Sequence, residues 1–363
     1  MAPAESRGTA AAPDSSSEYR KWLQREGLPL VSGHHIPDLR ALELAEWPSR
    51  GGSFCYINHD QSDRSNDCYV AAIPPGGELS ETRHLFEAIF YVLDGDGAAS
   101  VWHDGGTRQT FEWQAGSLFA IPLNASYQLY NGSGTRTARL LAVTNAPSVM
   151  NLFADSDFVF ECPYVFSKRF SGAADYFSSE GTLHGRIWES NFVPDTRSFP
   201  LISYSERGAG GSNVKFKLAK NTMWAHISEF PIGTYKKAHR HGPGAHVIIL
   251  SGQGYTLMWK EGEPIQRYDW QEGSMVIPPD RYFHQHFNTG TTPARYLALR
   301  YSAARVHDKE KKPVSSVSTR LGGDQIEYVD EDPMVPEMYR AALAANGVEL
   351  AMDHVPDYPR LNR

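Results

Sequence analysis

Two stretches of this chain repeat each other, and together they decide the fold. Residues 83–122 read "RHLFEAIFYVLDGDGAASVWHDGGTRQTFEWQAGSLFAIP", and residues 240–279 read "RHGPGAHVIILSGQGYTLMWKEGEPIQRYDWQEGSMVIPP". They align without a gap at a constant offset of 157 residues (240 less 83). The matches fall on turn glycines, tryptophans and a closing proline: Gly95 with Gly252, Gly97 with Gly254, Trp102 with Trp259, Trp113 with Trp270, and Pro122 with Pro279. Shared turns and shared core aromatic residues predict that one domain occurs twice.

The pattern within each copy predicts the fold class. Short runs rich in β-branched and aromatic residues alternate with Gly, Pro, Asn and Asp turns, which is typical of an antiparallel sandwich or barrel. A short helix is expected over "SSSEYRKWLQREG", where Ser15 and Glu18 have capping-box spacing and Gly27 can end the helix. A second is expected over "PEMYRAALAANG", between Pro336 and Gly347. We therefore predict an all-β chain of two tandem barrels with short flanking helices.

The predicted divisions of the chain follow from these features. They are a disordered tail (1–16), an N-terminal helix and arm (17–69), an N-terminal barrel (70–145), a linker (146–205), a C-terminal barrel (206–305) and a C-terminal extension with a helix (306–363).

The composition argues against several functions. The formal net charge of −7 argues against a nucleic-acid surface, because phosphate binding needs an excess of Lys and Arg. Three widely spaced cysteines argue against a disulfide framework and indicate a reducing compartment. No apolar run approaches the roughly twenty residues of a membrane span, and the first residues do not resemble a secretory leader. We expect a cytoplasmic protein with no nucleic-acid or membrane partner.

Histidines in the second copy form a pattern that predicts a metal site. If "GTYKKAHRHG" enters a strand, the two-residue period places His239 and His241 on one face. In "GSMVIPPDRYFHQHFN" the same period places His284, His286 and Asn288 on one face. Two strands that both carry such histidines favour a metal site, and neutral imidazoles suit Fe, Zn, Ni, Cu or Mn.

These motifs resemble the two signature motifs of the cupin superfamily, whose small double-stranded β-helix (jelly-roll) barrel usually holds a metal. The first motif appears as Gly233, His239, His241 and Gly252, and the second as Gly273, Pro279, His284 and Asn288. With its duplicate, the chain is similar to the bicupins over about residues 70–145 and 215–305.

Within the cupins, "HRHGPGA" and "HQHFN" look most similar to the ring-cleaving dioxygenases that act on gentisate, salicylate and 1-hydroxy-2-naphthoate. This resemblance implies three histidine ligands, His239, His241 and His284, with Ala245 where other cupins have a glutamate. The N-terminal copy has Thr82, His84 and Tyr127 at the ligand positions. The metal is therefore expected in the C-terminal barrel, although the family usually holds it in the N-terminal one.

Other residues receive roles by position. His286 is expected next to the metal, where it could transfer protons. Strict alternation points His246 away from the metal, unless a bulge makes it a fourth ligand or brings it beside the ligands. Trp224 and His226 could line a substrate pocket. The family's carboxylate-binding arginine is replaced by Val247, which leaves Arg281 or Arg300 for that role.

The expected function is a metal-dependent dioxygenase, with Fe(II) favoured, that uses O₂ to cleave a C–C bond of a small oxygenated substrate, aromatic substrates included. No organic cofactor is expected, and the resemblance implies a homo-oligomer. One alternative is a redox-neutral lyase, decarboxylase or isomerase, in which the metal polarises a carbonyl. A second alternative is a bicupin that binds a small molecule without catalysis.

Overall fold

The structure is a computed structural model, and it describes residues 17–58, 65–242, 245–302, 313–355 and 358. The predicted disordered tail lies outside the described residues. Within the described part of the chain, no helix is long and apolar enough to cross a membrane.

The N-terminal barrel consists of two facing sheets. Its large sheet has the order β1-β4-β5-β11-β6-β9-β14, with β3 paired to β4, and its small sheet has the order β10-β7-β8. These strands are β1 (Leu30–Ser32), β3 (Ala45–Trp47), β4 (Gly52–Asn58), β5 (Asp67–Ile73), β6 (Ala88–Asp94), β7 (Asp96–Trp102), β8 (Gln109–Gln114), β9 (Leu118–Ile121), β10 (Ser126–Asn131), β11 (Ala138–Thr144) and β14 (Phe192–Val193).

The C-terminal barrel has the same arrangement. Its large sheet has the order β12-β13-β16-β17-β23-β18-β21-β2, with β15 paired to β16, and its small sheet has the order β20-β19-β22. These strands are β2 (His35–Ile36), β12 (Thr182–His184), β13 (Ile187–Glu189), β15 (Ile202–Ser203), β16 (Ser212–Lys217), β17 (Trp224–Phe230), β18 (Ala245–Ser251), β19 (Gln253–Trp259), β20 (Gln266–Gln271), β21 (Met275–Val276), β22 (Phe283–Asn288) and β23 (Ala294–Arg300). The predicted all-β class with tandem barrels is confirmed.

Glycines that align in the repeat are required for the same structural reason in both barrels. Gly95 and Gly252 turn the chain between strands at φ 88° and 87°, a conformation that favours glycine. A Cβ on Gly97 would approach a Tyr130 carbonyl oxygen to 2.0 Å, and one on Gly254 would approach that of Phe287 to 1.9 Å. The repeat therefore preserves close packing as well as turns.

Each barrel contributes a short strand to the other. β2, from the N-terminal arm, pairs with β21, so that His35 faces Val276 and Ile36 faces Met275. β14, from the linker, pairs with β9 in the same way. The 157-residue offset therefore extends back into both arms, although the sequences of the two copies resemble each other only from Arg83 onward. A two-residue strand is too short to carry a periodic signal.

The two large sheets pack their outer faces against each other. One hydrophobic core combines residues of both barrels, including Val70, Leu141, Phe216, Ile227 and Leu297, all buried. The buried Glu87 carboxylate of the N-terminal barrel adds a polar connection, because it accepts hydrogen bonds from the main chain of Thr222 and Met223. Apolar burial of this extent joins the barrels into one body.

Helices and a C-terminal extension flank the barrels. The helices are α1 (Glu18–Glu26), α2 (Ala146–Phe153), α3 (Ser156–Glu161) and α4 (Met334–Asn346), and 3₁₀ turns include Pro48–Arg50, Ser205–Arg207, Val314–Ser316, Thr319–Leu321 and Tyr328–Asp330. Ser17 caps α1, rather than the expected Ser15, and α4 begins at Met334, earlier than expected. The ends at Gly27 and Gly347 are as predicted. The extension covers the outer face of the small sheet of the C-terminal barrel, where Tyr328 and Tyr339 pack on Tyr235.

Candidate metal centre and its cavity

Three histidines meet inside the C-terminal barrel. One nitrogen from each of His239, His241 and His284 lies within 4.8 Å of the other two. His284 is on β22, whereas residues 235–241 are irregular chain that touches β22 through single bridges, His239 to His284 and Tyr235 to Phe287. The expectation of a regular strand here was wrong. The bridges to β22 nevertheless hold the irregular segment so that His239 and His241 both face inward.

Main-chain carbonyls orient two of the three rings. His239 Nδ1 lies 3.2 Å from the Lys237 carbonyl oxygen, and His284 Nδ1 lies 3.1 Å from that of Tyr282. If each Nδ1 donates to its carbonyl, Nε2 keeps a free lone pair directed at the shared centre, as metal-binding histidines require. His241 Nδ1 is buried without a hydrogen-bond partner among the described residues.

The environment keeps all three imidazoles neutral. Burial lowers the pKa of His284 to about 3, and the positive charges of Arg300 and Arg207 act in the same direction. Burial also lowers the pKa of His239 and that of His241 well below the usual value. Neutral nitrogens converging at this spacing fit a divalent transition metal with open positions for ligands.

A cavity of about 560 Å³ lies beside the three histidines. Its walls include the inward faces of the large sheet, because Trp224, His226 and Ser228 alternate along β17 and Tyr296, Ala298 and Arg300 alternate along β23. The sequence-derived pocket residues Trp224, His226 and Arg300 therefore line it. Such a volume accommodates a small organic molecule.

Positive charge dominates the cavity wall. Among the described residues of the lining, the cationic side chains are Arg186, Arg207, Lys215, Lys236 and Arg300, and the acidic one is Glu206. Lys236 is only 5% exposed, and its ammonium group donates to Ser228 Oγ and, at 3.3 Å, to the Tyr296 hydroxyl. Sequence reasoning missed Lys236 because strict alternation from His239 points Lys237 inward instead. Because the chain before His239 is irregular, Lys236 points into the cavity and Lys237 points out of it. Lys237 forms a salt bridge with Glu327 outside the cavity.

Lys236 and Tyr296 each affect the pKa of the other. Burial lowers the pKa of Lys236, partly opposed by Tyr296. Burial would raise the pKa of Tyr296, but Lys236 and a hydrogen bond to Ser228 lower it below its ordinary value. The pKa values of Lys236 and Tyr296 thus both lie below their ordinary values, which suits proton transfer between the pair and a bound molecule.

His286 also lines the cavity, and its Nδ1 lies 2.8 Å from the Thr256 hydroxyl. That hydroxyl accepts a hydrogen bond from Trp270. The contact fixes the imidazole ring between His284 and Tyr296, with ring centroids 5.8 and 5.1 Å away. The ring therefore lies beside the candidate metal centre and faces the cavity.

Two of the sequence-derived residues lie away from the cavity. His246 points from β18 towards the N-terminal barrel, where its Nδ1 is 3.2 Å from Asn66 Nδ2. It forms a buried cluster with Asp67 and Cys68, in which the Asp67 carboxylate accepts hydrogen bonds from Tyr19 and Asn58. His246 therefore does not lie beside the three histidines, where a fourth ligand would be.

Arg281 has a positive φ of 63° and forms two hydrogen bonds to Asp324, at 2.8 and 3.0 Å. Asp324 also binds Arg240, which lies between two of the histidines, at 2.7 Å. Burial would raise the pKa of Asp324, but its bonds to Arg281 and Arg240 lower it below its ordinary value. One carboxylate of the C-terminal extension thus connects both histidine-bearing segments, and no motif in the sequence pointed to it.

The equivalent place in the N-terminal barrel is occupied by protein. Arg50 donates to Thr82 Oγ1 at 2.6 Å and interacts with Tyr127, while His84 Nε2 is 3.1 Å from the Tyr127 hydroxyl. Burial lowers the pKa of His84 to about 3, and Arg50 contributes. Among the described residues, no group of three metal-ligating side chains lies at this place; the second such group, Asp67, Cys68 and His246, lies between the two barrels.

Comparisons with known proteins bear on the fold. No family model matches the chain, and no curated protein matches it. Similar solved structures include a single-substitution variant of Bacillus subtilis oxalate decarboxylase, with a TM-score of 0.51 at 14% identity, covering 76% of this chain and 79% of that one.

Other forms of the same enzyme give the same result. A segment-substituted variant has a TM-score of 0.52 at 14% identity, and a structure that concerns the enzyme's Mn(II) centres has 0.51 at 14%, both with the same coverage of 76% and 79%. At this identity the likeness concerns the fold alone. Taken with the two barrels and their exchanged strands, it shows that this chain has the bicupin fold.

Proposed function

We propose that the C-terminal barrel is the active site of a metal-dependent lyase that cleaves a C–C bond of a small carboxylate, by decarboxylation, without consuming O₂. One observation carries the proposal: the three-histidine centre opens onto a cavity that contains the buried Lys236–Tyr296 pair. It is consistent with the structural neighbours' being forms of an oxalate decarboxylase.

The chain's own residues supply binding and proton transfer. The cationic wall attracts the carboxylate, and the apolar faces of Trp224 and Tyr296 exclude water around it. As the C–C bond breaks, CO₂ leaves and the electron pair stays on the remaining carbon. That carbon takes a proton from the Lys236–Tyr296 pair, which solvent then reprotonates. A divalent metal such as Mn(II) or Fe(II), held by His239, His241 and His284, would supply Lewis-acid stabilisation of negative charge on a substrate oxygen.

Oxidative C–C cleavage is the second candidate, and the ligand set favours it. Ala245 leaves three neutral imidazoles and no carboxylate, so a bound Fe(II) would keep its charge of 2+ for a chelating anion and O₂. This reaction consumes one O₂ per substrate, whereas decarboxylation consumes none.

The test is turnover under strict anaerobiosis. Protein freed of metal and reloaded with Mn(II), Fe(II) or Zn(II) is screened against 2-hydroxy acids, 1,3-diketones, hydroxybenzoates and dicarboxylates, with CO₂ release and O₂ uptake both recorded. We expect CO₂ release without O₂. Lys236→Met should lower kcat about 100-fold or more while the bound metal is retained. Turnover that stops without O₂ and matches its uptake would replace the lyase with the dioxygenase.

A further inference from the structure

The described lining of the cavity carries more positive charge than a single carboxylate can balance. Among the described residues, Lys236, Arg207 and Arg300 have no carboxylate within salt-bridge distance. Arg207 donates to the Ser315 hydroxyl, and its Nη1 is buried without a partner. Arg300 contacts the Trp224 ring, with its guanidinium carbon 5.3 Å from the centroid.

Burial disfavours the positive charge of both arginines. Burial lowers the pKa of Arg300 to about 10, and Arg207 contributes as the neighbouring positive charge. Burial also lowers the pKa of Arg207, partly opposed by Tyr204, Tyr296 and Glu206. Two guanidinium groups that repel each other in a partly dry cavity are stabilised when an anion binds between them, because charge-assisted bidentate hydrogen bonds replace the lost hydration.

The strand register places Arg300 in the large sheet, which faces the small sheet that carries His284. Arg300 faces Trp224 on β17 and Ala245 on β18, both in the large sheet. His284 is on β22 of the small sheet. Facing sheets lie on the order of 10 Å apart, so one molecule can touch both walls. A larger acidic side chain at position 245 could have paired with Arg300, but Ala245 leaves the guanidinium available.

We propose that the substrate is a dianion, a dicarboxylate of three to five carbons or a slightly larger aromatic one, with one carboxylate at the three-histidine centre and the other held by Arg300 and Arg207. The assignment of the first carboxylate rests on the proposed function. The arginine subsite determines specificity, and Trp224 forms the surface beneath the second carboxylate.

The test compares matched pairs of non-reacting acids by calorimetry on the full-length, metal-loaded protein. Succinate is compared with butyrate, and glutarate with pentanoate, since each pair differs in one carboxylate. We expect the dicarboxylate to bind at least about 30-fold more tightly. Arg300→Met should remove most of that advantage while the affinity for the monocarboxylate stays within about twofold.

Two further variants keep the result interpretable. Arg207→Met should lower dicarboxylate affinity as Arg300→Met does, which covers the case in which one variant folds poorly. Arg108→Met is the control, because Arg108 lies over Trp102 of the N-terminal barrel, 3.7 Å from the ring centroid, far from the cavity. Equal binding of mono- and dicarboxylates, or an equal loss of both in Arg300→Met, overturns the proposal.

Failure of this inference differs from failure of the proposed function. Selective dicarboxylate binding that depends on Arg300, in a protein with no detectable turnover, supports the subsite and contradicts the lyase. Decarboxylation of monocarboxylates with no preference for a second carboxylate supports the lyase and overturns the subsite.

Discussion

The two barrels have the same fold but differ at the positions that align with the three histidines: the N-terminal barrel is filled there, and the C-terminal barrel is open. In the N-terminal barrel, aromatic side chains fill the interior, and Arg50 lies among the residues that align with the histidine ligands. In the C-terminal barrel those positions carry His239, His241 and His284 beside an open cavity. A fixed guanidinium supplies in one barrel the positive charge that a metal would supply in the other. Duplication has therefore left one barrel as a packed support and the other with the candidate site.

The largest expected effect comes from substituting aligned histidines, one in each barrel. His241→Ala should lower kcat/KM about 1,000-fold or more, because it removes a ligand of the metal that stabilises the reaction's charge. His84→Ala should change kcat/KM less than about threefold, since His84 bonds only within a packed core. Steady-state kinetics on both variants, with thermal melting to verify folding, makes the comparison. Equal losses of activity would mean that the barrels are not functionally different.

A smaller effect is expected from the carboxylate that joins the two histidine-bearing segments. Asp324→Asn should weaken metal affinity about 10- to 100-fold, because outer groups that fix ligand orientation have effects of this size. Glu261→Gln is the matched control: Glu261 also pairs with Arg240, but its side chain is 76% exposed, against 7% for Asp324. Competition with a fluorescent chelator measures both. If Asp324→Asn melts earlier but binds metal normally, Asp324 is only a stabilising contact.

The smallest effect on the candidate site is expected from the extension that covers the C-terminal barrel, where the measured quantity is the free energy of unfolding. Burial raises the pKa of Glu331 from 4.5 to about 8, against the bonds from Tyr235 and Gln285. The folded chain thus holds this proton more tightly than the unfolded chain. The contribution of Glu331 is present below about pH 4.5, and the free energy of unfolding falls by up to ~1.4 kcal/mol per pH unit as the pH rises towards 8.

Glu331→Gln should flatten this part of the stability profile, and urea titrations between pH 5 and 8 measure it. Glu337→Gln, on the exposed side of α4, serves as the control. A wild-type profile with no downward slope over this range would show that Glu331 is ionised in the folded protein.

The sequence predicted what depends on periodicity and repetition. The 157-residue offset indicated both barrels, and alternation along β22 placed His284 and His286 on one face. The sequence could not predict that Lys236 lines the cavity, because the chain before His239 is irregular and alternation fails there. It could not find Asp324 or Arg207, whose roles come from contacts between segments far apart in the chain. Arg281 and His246 carried no local signal of their actual partners, Asp324 and Asn66.

The central claim is that one barrel binds a metal and the other does not, and metal content measures this most directly. Elemental analysis of the full-length protein, reloaded with Mn(II) or Fe(II) and freed of excess, should give about one metal per chain. His239→Ala with His284→Ala should reduce the content to near zero, and Thr82→Ala with His84→Ala should leave it at one. Two metals per chain, or a content that survives loss of the C-terminal histidines, would contradict this account.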